Sequence, residues 1–368
     1  MLFSPALKAQ IIKEFLCILR DKKTRIVLIA PPLLQLIIFS YAITLDVNNV
    51  NVTMFNRDNG YYSEQFIHQI ANANFVKKID NVHSYQQLQH QMNLRQSLVA
   101  IVIPSDFSKT VIKGDNPQIQ VISDGRRANS AQVVTGYIQS ISALYLATVD
   151  LGQEQTNPVT VRHWFNSNLE YQWFVVPGLS GVLSMVIALL LTALSIARER
   201  ELGTFEQLLV SPCSSGEIIV AKVIPPLVVG LFLGNVMIAA GIFIFEIPFT
   251  GSFLWLQLAL IVFLISMAAM GLMISAISNT QQQAILGCFA AVVPLMLLSG
   301  FATPVANMPQ SLQYIAEWLP IQHYLVIVQG VFLKALPIHE IIAHTIPMAI
   351  VAGVSLIIAS LLVRNKLQ

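Results

Sequence analysis

Six stretches of this chain are long, apolar and almost free of charge: Ile26 to Leu45, Trp173 to Ala197, Ile218 to Phe245, Phe253 to Ile277, Ala284 to Thr303 and Ile341 to Val363. About 20 apolar residues in a helix cross a hydrocarbon core, and a backbone in lipid must close its own hydrogen bonds. The sequence therefore predicts an α-helical integral membrane protein with six transmembrane helices. Only 11% of the residues are charged, against about 25% in soluble domains. A net charge of +2 is too small to point to nucleic acid.

Between the first two runs lies a segment of different composition, residues 46–172. It holds nine of the lysines and arginines and ten of the acids of the chain before Tyr171, so it reads as a soluble domain. Val50, Val52 and Met54 alternate as a strand does, and Tyr62, Phe66, Ile70 and Ala73 repeat as a helix does. Further strands are expected at Phe75 to Ile79, Leu98 to Ile103 and Gln118 to Ser123. Helices are expected to open near Ser84 and Ser105 and to run from Ala128 to Leu151, with Gly114 ending the Ser105 helix. Strands alternating with helices make this a small α/β domain. None of the three cysteines, Cys17, Cys213 and Cys288, falls within it, so it has no internal disulfide.

Charge sets the orientation. Residues 1–25 form an amphipathic helix suited to the membrane interface, with Lys22, Lys23 and Arg25 near anionic headgroups. The first span, 26–45, lacks a convincing cleavage site and reads as an uncleaved anchor. With the N-terminus inside, the short inner segments collect Lys8, Lys13, Arg20, Lys22, Lys23, Arg25, Arg198, Arg200, Lys222, Arg364 and Lys366, while the short outer ones hold Lys334. The 46–172 domain is then extracytoplasmic, the five-span domain covers 173–363, and both termini, including the 364–368 tail, are cytosolic. Trp164, Trp173, Trp255 and Trp318 fall at or near the outer side, as an interfacial belt would. Residues 304–340 are too apolar for a loop and too broken by Pro309, Pro320 and Pro337 for a span. They read as one or two interfacial or re-entrant helices.

The densest charge cluster between spans is Arg198, Glu199, Arg200 and Glu201. Leu202, Phe205, Leu208 and Leu209 follow at spacings of three and four, which places them on one helical stripe, and Pro212 is a stop. A short amphipathic helix over 198–212 is expected, with its apolar stripe available to a soluble partner. Ser214 and Glu217 have the spacing of a capping box before the next span. The pattern formed by Glu201, Gly203, Thr204, Glu206, Leu208 and Pro212 resembles the segment after the second span of type-2 ATP-binding-cassette (ABC) export permeases. Gly300, Met308, Pro309, Leu312, Pro320 and the ending Phe332-Leu333-Lys334 also resemble that family, with Ala335 standing where glycine is common.

The resemblance covers nearly the whole chain and is strongest to the bacterial multidrug-efflux branch. It implies that residues 198–212 are a coupling helix docked on a cytosolic ABC ATPase subunit, and that the loop Ser278 to Gln283, with Gln281, is a second contact. It also implies that ATP and Mg act in that partner, that a second permease copy or a sister permease completes a dimer, and that the chain sits in the bacterial inner membrane. Such permeases often sit beside a periplasmic adaptor.

The chain has no G-x-x-x-x-G-K-[ST] phosphate loop and no H-E-x-x-H or paired C-x-x-C, so it is expected to be no enzyme and to hold no metal. His339 with His344 is the nearest approach to ligand spacing. With Lys222 counted among the cytosolic charges, the span interiors hold no Asp, Glu, Lys or Arg. Polar residues there are mild: Ser184, Thr192, Asn235, Ser266, Ser275 and Ser299. Together with Met185, Met267 and Met270 they would line a pathway for an amphiphilic substrate or join helices to one another. A gradient-driven carrier and a membrane-anchored receptor or assembly protein stand as alternatives to ATP-driven export, the first disfavoured by the charge-free spans.

Overall fold

The computed structural model describes residues 4–20, 30–32, 34–38, 47, 49–115, 117–149, 165–166, 170–205 and 212–365. The chain divides into two compact units, Thr44–Arg162 and the remainder, Met1–Ile43 with His163–Gln368.

The smaller unit is a four-stranded sheet in the order β2-β1-β3-β4. Its strands are β1 (Val50–Asn56), β2 (Val76–Asn81), β3 (Val99–Ile103) and β4 (Gln120–Ser123). Central β1 runs parallel to both β2 and β3, and β4 closes one edge antiparallel to β3. The helices are α1 (Pro5–Arg20) in the larger unit and, in this one, α2 (Tyr61–Ala71), α3 (Tyr85–Asn93), α4 (Phe107–Ile112) and α5 (Ala128–Thr148). Alternate residues of the strands part to the two faces. Val52, Met54, Ile101 and Ile103 meet Phe66, Phe107, Ile138 and Tyr145, whereas Phe55, Ala100 and Val102 meet Leu88 of α3. The strands thus sit close to their expected places, with both faces covered. Ser84 accepts a hydrogen bond from Gln87 N as the cap of α3, and Gly114 (φ +75°) ends α4 in the left-handed region.

Among the described residues of the larger unit five helices are long and apolar enough to span a membrane: α6 (Gln172–Glu201), α7 (Ser215–Phe243), α8 (Phe253–Ile277), α9 (Gln281–Leu298) and α12 (Ile338–Asn365). The expected first span lies largely outside the described residues. Those it contributes, 30–32 and 34–38, are helical. Between α9 and α12 come α10 (Gln310–Ala316) and the apolar α11 (Pro320–Leu333), two helices where one or two were expected. Ala335, which follows α11, has φ +47°, a backbone that glycine adopts without strain.

Helix α6 is the axis of this unit. In its apolar window 83% of the residues are buried, against 17% in α9, so the other helices pack around α6 while α9 lies outermost. Close approach rests on small residues. A β-carbon on Gly181 would meet the ring of Tyr324, and one on Gly271 would lie 2.6 Å from the Leu189 carbonyl. Tyr324 in turn stacks on Phe263 with centroids 4.6 Å apart.

Candidate functional site

The last turn of α6 is where the sequence placed its charge cluster, and three consecutive residues there hold different neighbours. Arg198 to Glu201, expected to open a separate short helix, instead continue α6 to its end. The helix stops because Gly203 (φ +69°) turns the backbone into the left-handed region.

Glu199 is 7% exposed and lies between two lysines. Lys13 of α1 donates to its Oε1 at 2.6 Å, and Lys222 Nζ stands 2.9 Å from its Oε2. The Lys222 contact is an ion pair off the hydrogen-bond direction, since Oε2 has no aligned donor among the described residues. Lys222 also donates to Glu14 Oε1 at 3.1 Å. Two lysines and two carboxylates from α1, α6 and α7 therefore close a network whose formal charges cancel. Burial works against the charge on Lys13, but the hydrogen bond and charge of Glu199, with the charge of Glu14, outweigh it and raise the Lys13 pKa.

This geometry corrects the placement of Lys222. Counted with the cations of the cytosolic segments, it lies within α7 and is 1% exposed, so that span does contain a buried charged residue. Lys13, Glu14 and Lys222 were missed as site residues because their partner on α6 is far away in sequence. The available signal was Lys222, the one cation of a long apolar run, and Glu14, the one acid of amphipathic α1.

Arg200 turns the other way. Its Nη1 donates to the carbonyls of Ala276 and Ser278 at 2.8 and 3.0 Å, capping α8 where helix carbonyls lack partners. Its guanidinium lies 5.0 Å from the Phe205 ring centroid, and Phe205 packs against a cluster that includes Ile196, Ile219 and Leu272. Glu201 Oε2 accepts from Gln281 N at 2.8 Å, an acid at the positive N-terminus of α9. The two segments singled out by resemblance are thus bonded to each other. Leu202 is 63% exposed, Thr204 is half-buried and Pro212 is exposed. Glu206, Leu208 and Leu209 lie outside the described residues. Ser214 and Glu217 form the expected capping box, and Ser4, just before α1, donates to the Glu217 carboxylate.

Beside the charge network is a cavity of about 450 Å³ between α1, α6 and α7, within the size range of small-molecule sites. Pro225 and Pro226 of α7 line it. Both lack an N–H, so the helix ladder is weakened beside the cavity.

Of the residues considered for a pathway, some bond across helix contacts and others within their own helix. Ser275 Oγ accepts from the amides of Ile196 and Ala197 at 3.0 and 3.1 Å. Ser266 Oγ donates to Met348 O, Thr192 to Ala188 O and Ser299 to Met296 O. Asn235 and Gln257 exchange hydrogen bonds at 3.0 and 2.7 Å. Ser184 faces Gly230 O at 3.4 Å. Met185 and Met267 are fully buried in the main core, and half-buried Met270 packs against that core. His344 faces His323, Nδ1 to Nδ1 at 3.0 Å, rather than His339. Among the described residues no group of three or more His, Cys, Asp or Glu could hold a metal ion.

Comparison with known proteins places this architecture. Residues 22–361 match the family described as ABC-2 family transporter protein. The chain is 37% identical over 324 residues to the probable multidrug ABC transporter permease YbhR of Escherichia coli, covering 88% of each chain. It is 31% identical to the probable multidrug ABC transporter permease YbhS of the same organism, over 96% of this chain and 93% of that one. The linearmycin resistance permease protein LnrN of Bacillus subtilis is 21% identical over 83% of this chain and 86% of its own. With its apolar helices and a family match over most of its length, this chain belongs to the ABC-2 transporter family, as a membrane permease subunit.

Proposed function

We propose that this permease moves small amphiphilic compounds or drugs outward across a bacterial inner membrane, driven by ATP hydrolysed with Mg in a cytosolic ABC ATPase. It works as half of a dimer with a second copy or a sister permease, both termini cytosolic and the Thr44–Arg162 unit extracytoplasmic. The segment from Arg198 to Pro212, together with Gln281, docks on the ATPase. The six-span count belongs to the same proposal, with its first span in 26–45, and so does a periplasmic adaptor beside the α/β unit.

One observation carries this reading. Glu199, Arg200 and Glu201 tie the start of the proposed docking segment to α1, α7, α8 and α9 through side chains on a single turn. A displacement imposed there by a closing ATPase is delivered to four helices together, which is how differential contact at one site shifts a global equilibrium. The names of the relatives, a multidrug permease and a linearmycin resistance permease, support a drug cargo.

The test is purification from the native membrane in mild detergent with quantification of bound proteins. A P-loop ATPase at near equal amount, lost in Leu208→Asp or Glu206→Lys, is the expected result. Recovery of the intact permease without any ATPase, under conditions that preserve a known permease–ATPase pair, overturns it.

A further inference from the structure

The cavity between α1, α6 and α7 contains groups that the charge network leaves unused. Leu191, Leu194, Ser195 and Arg198 of α6, with Leu202 just past its end, all line it, and their spacings of three and four place them on one stripe. Ser195 Oγ is buried and has no hydrogen-bond partner among the described residues. Arg198 makes no ion pair among the described residues, in contrast to Lys13 and Lys222, which share Glu14 and Glu199. The charged groups facing the cavity are therefore Lys13, Glu14, Arg198, Glu199 and Lys222, four of which cancel and one of which does not.

We infer that this cavity binds an amphiphile with a single anionic head group, a phosphate or a carboxylate, held by Arg198 and Ser195 with its apolar chain along Leu191 and Leu194. The charge balance selects the head. A cation would add to the uncompensated Arg198, whereas one negative charge neutralises it, and the Ser195 hydroxyl gains the acceptor it lacks. The spacing selects the body. Arg198 and Leu191 are separated by about 10 Å along the helix axis at 1.5 Å per residue, so a polar end and an apolar end are offered in series. Pro225 and Pro226 form part of the wall, where α7 lacks two backbone donors and can yield to a guest of different width. The inference deepens the proposed export of amphiphiles, but its test needs no ATPase and is separate from the docking proposal.

The test uses the full-length protein in nanodiscs of neutral lipid, with radiolabelled dodecyl phosphate as probe and unlabelled dodecyltrimethylammonium and dodecyl maltoside as competitors. Saturable dodecyl phosphate binding is expected, poorly displaced by the other two. Arg198→Gln should weaken it about tenfold, the loss of one charge-assisted contact, while Arg198→Lys stays within about threefold of the parent. Ser195→Trp, which fills the cavity, should abolish binding in protein that still elutes as the parent does. Equal binding of the trimethylammonium compound, or unchanged affinity in Arg198→Gln, overturns the inference.

Discussion

Lys222 shows how much one side chain can fix. With no exposed side-chain surface, it bridges Glu14 and Glu199, so removing it leaves Lys13 as the one network lysine facing two carboxylates. Breaking a buried ion pair by deleting one partner costs about 3–5 kcal/mol, whereas replacing the set by apolar groups of similar volume is often neutral. Lys222→Met is thus expected to lower the unfolding midpoint in detergent sharply, and Lys222→Met combined with Glu199→Gln to restore part of the loss. A strictly additive pair of effects would show that the charges act independently. The sequence displayed Lys222 as a lone cation near the end of an apolar run, which the inner-side charge bias explains equally well. What it could not display is that α1 brings Glu14 to the same place, because that contact depends on packing and not on local spacing.

At the scale of elements, the α6–α8 contact is set by the absence of a side chain. A β-carbon at Gly271 would stand 1.9 Å from Thr192 Oγ1 and 2.6 Å from the Leu189 carbonyl. The Thr192 side chain could rotate, but the backbone oxygen cannot move without shifting α6. Gly271→Ala should therefore destabilise by about 1–3 kcal/mol, as overpacking does, measured as a lower midpoint and a poorer yield of folded protein. Gly353→Ala, where nothing lies within 4 Å, is the matching control. Element identity was largely legible: Phe253–Ile277 has the expected bounds, and the β3 strand and the Ser84 cap sit where alternation and cap chemistry placed them. Element ends were less so. Arg198–Glu201 read as the polar start of a separate short helix, yet α6 runs through them, and Glu199 and Arg200 find partners on neighbouring helices. For the same reason Ser275 and Thr192 could be read as lining or as packing until the helices were assembled.

Across the whole molecule, two compact units with different cores predict two unfolding transitions with separate pH limits. In the α/β unit Tyr145 donates to Tyr62 O at 2.7 Å, and burial pushes its phenol up to about 12. The unfolded phenol titrates near about 10. Because the folded value is the higher, its contribution is complete below about pH 10 and is lost as pH rises toward 12. The α/β transition is expected to fall across that window, with Tyr145→Phe flattening the dependence at the cost of one hydrogen bond, about 1 kcal/mol. A pH-independent transition in the parent would refute it. In the helical unit the tie between α1 and α7 has a practical corollary. Exposed charges farther apart than about 8–10 Å are screened at moderate ionic strength, whereas buried pairs are screened far less. Concentrated sodium chloride should strip a peripheral subunit held by exposed charges, yet leave the amphipathic α1 seated against its bundle. A high-salt wash then separates what this chain carries with it from what it merely borrows.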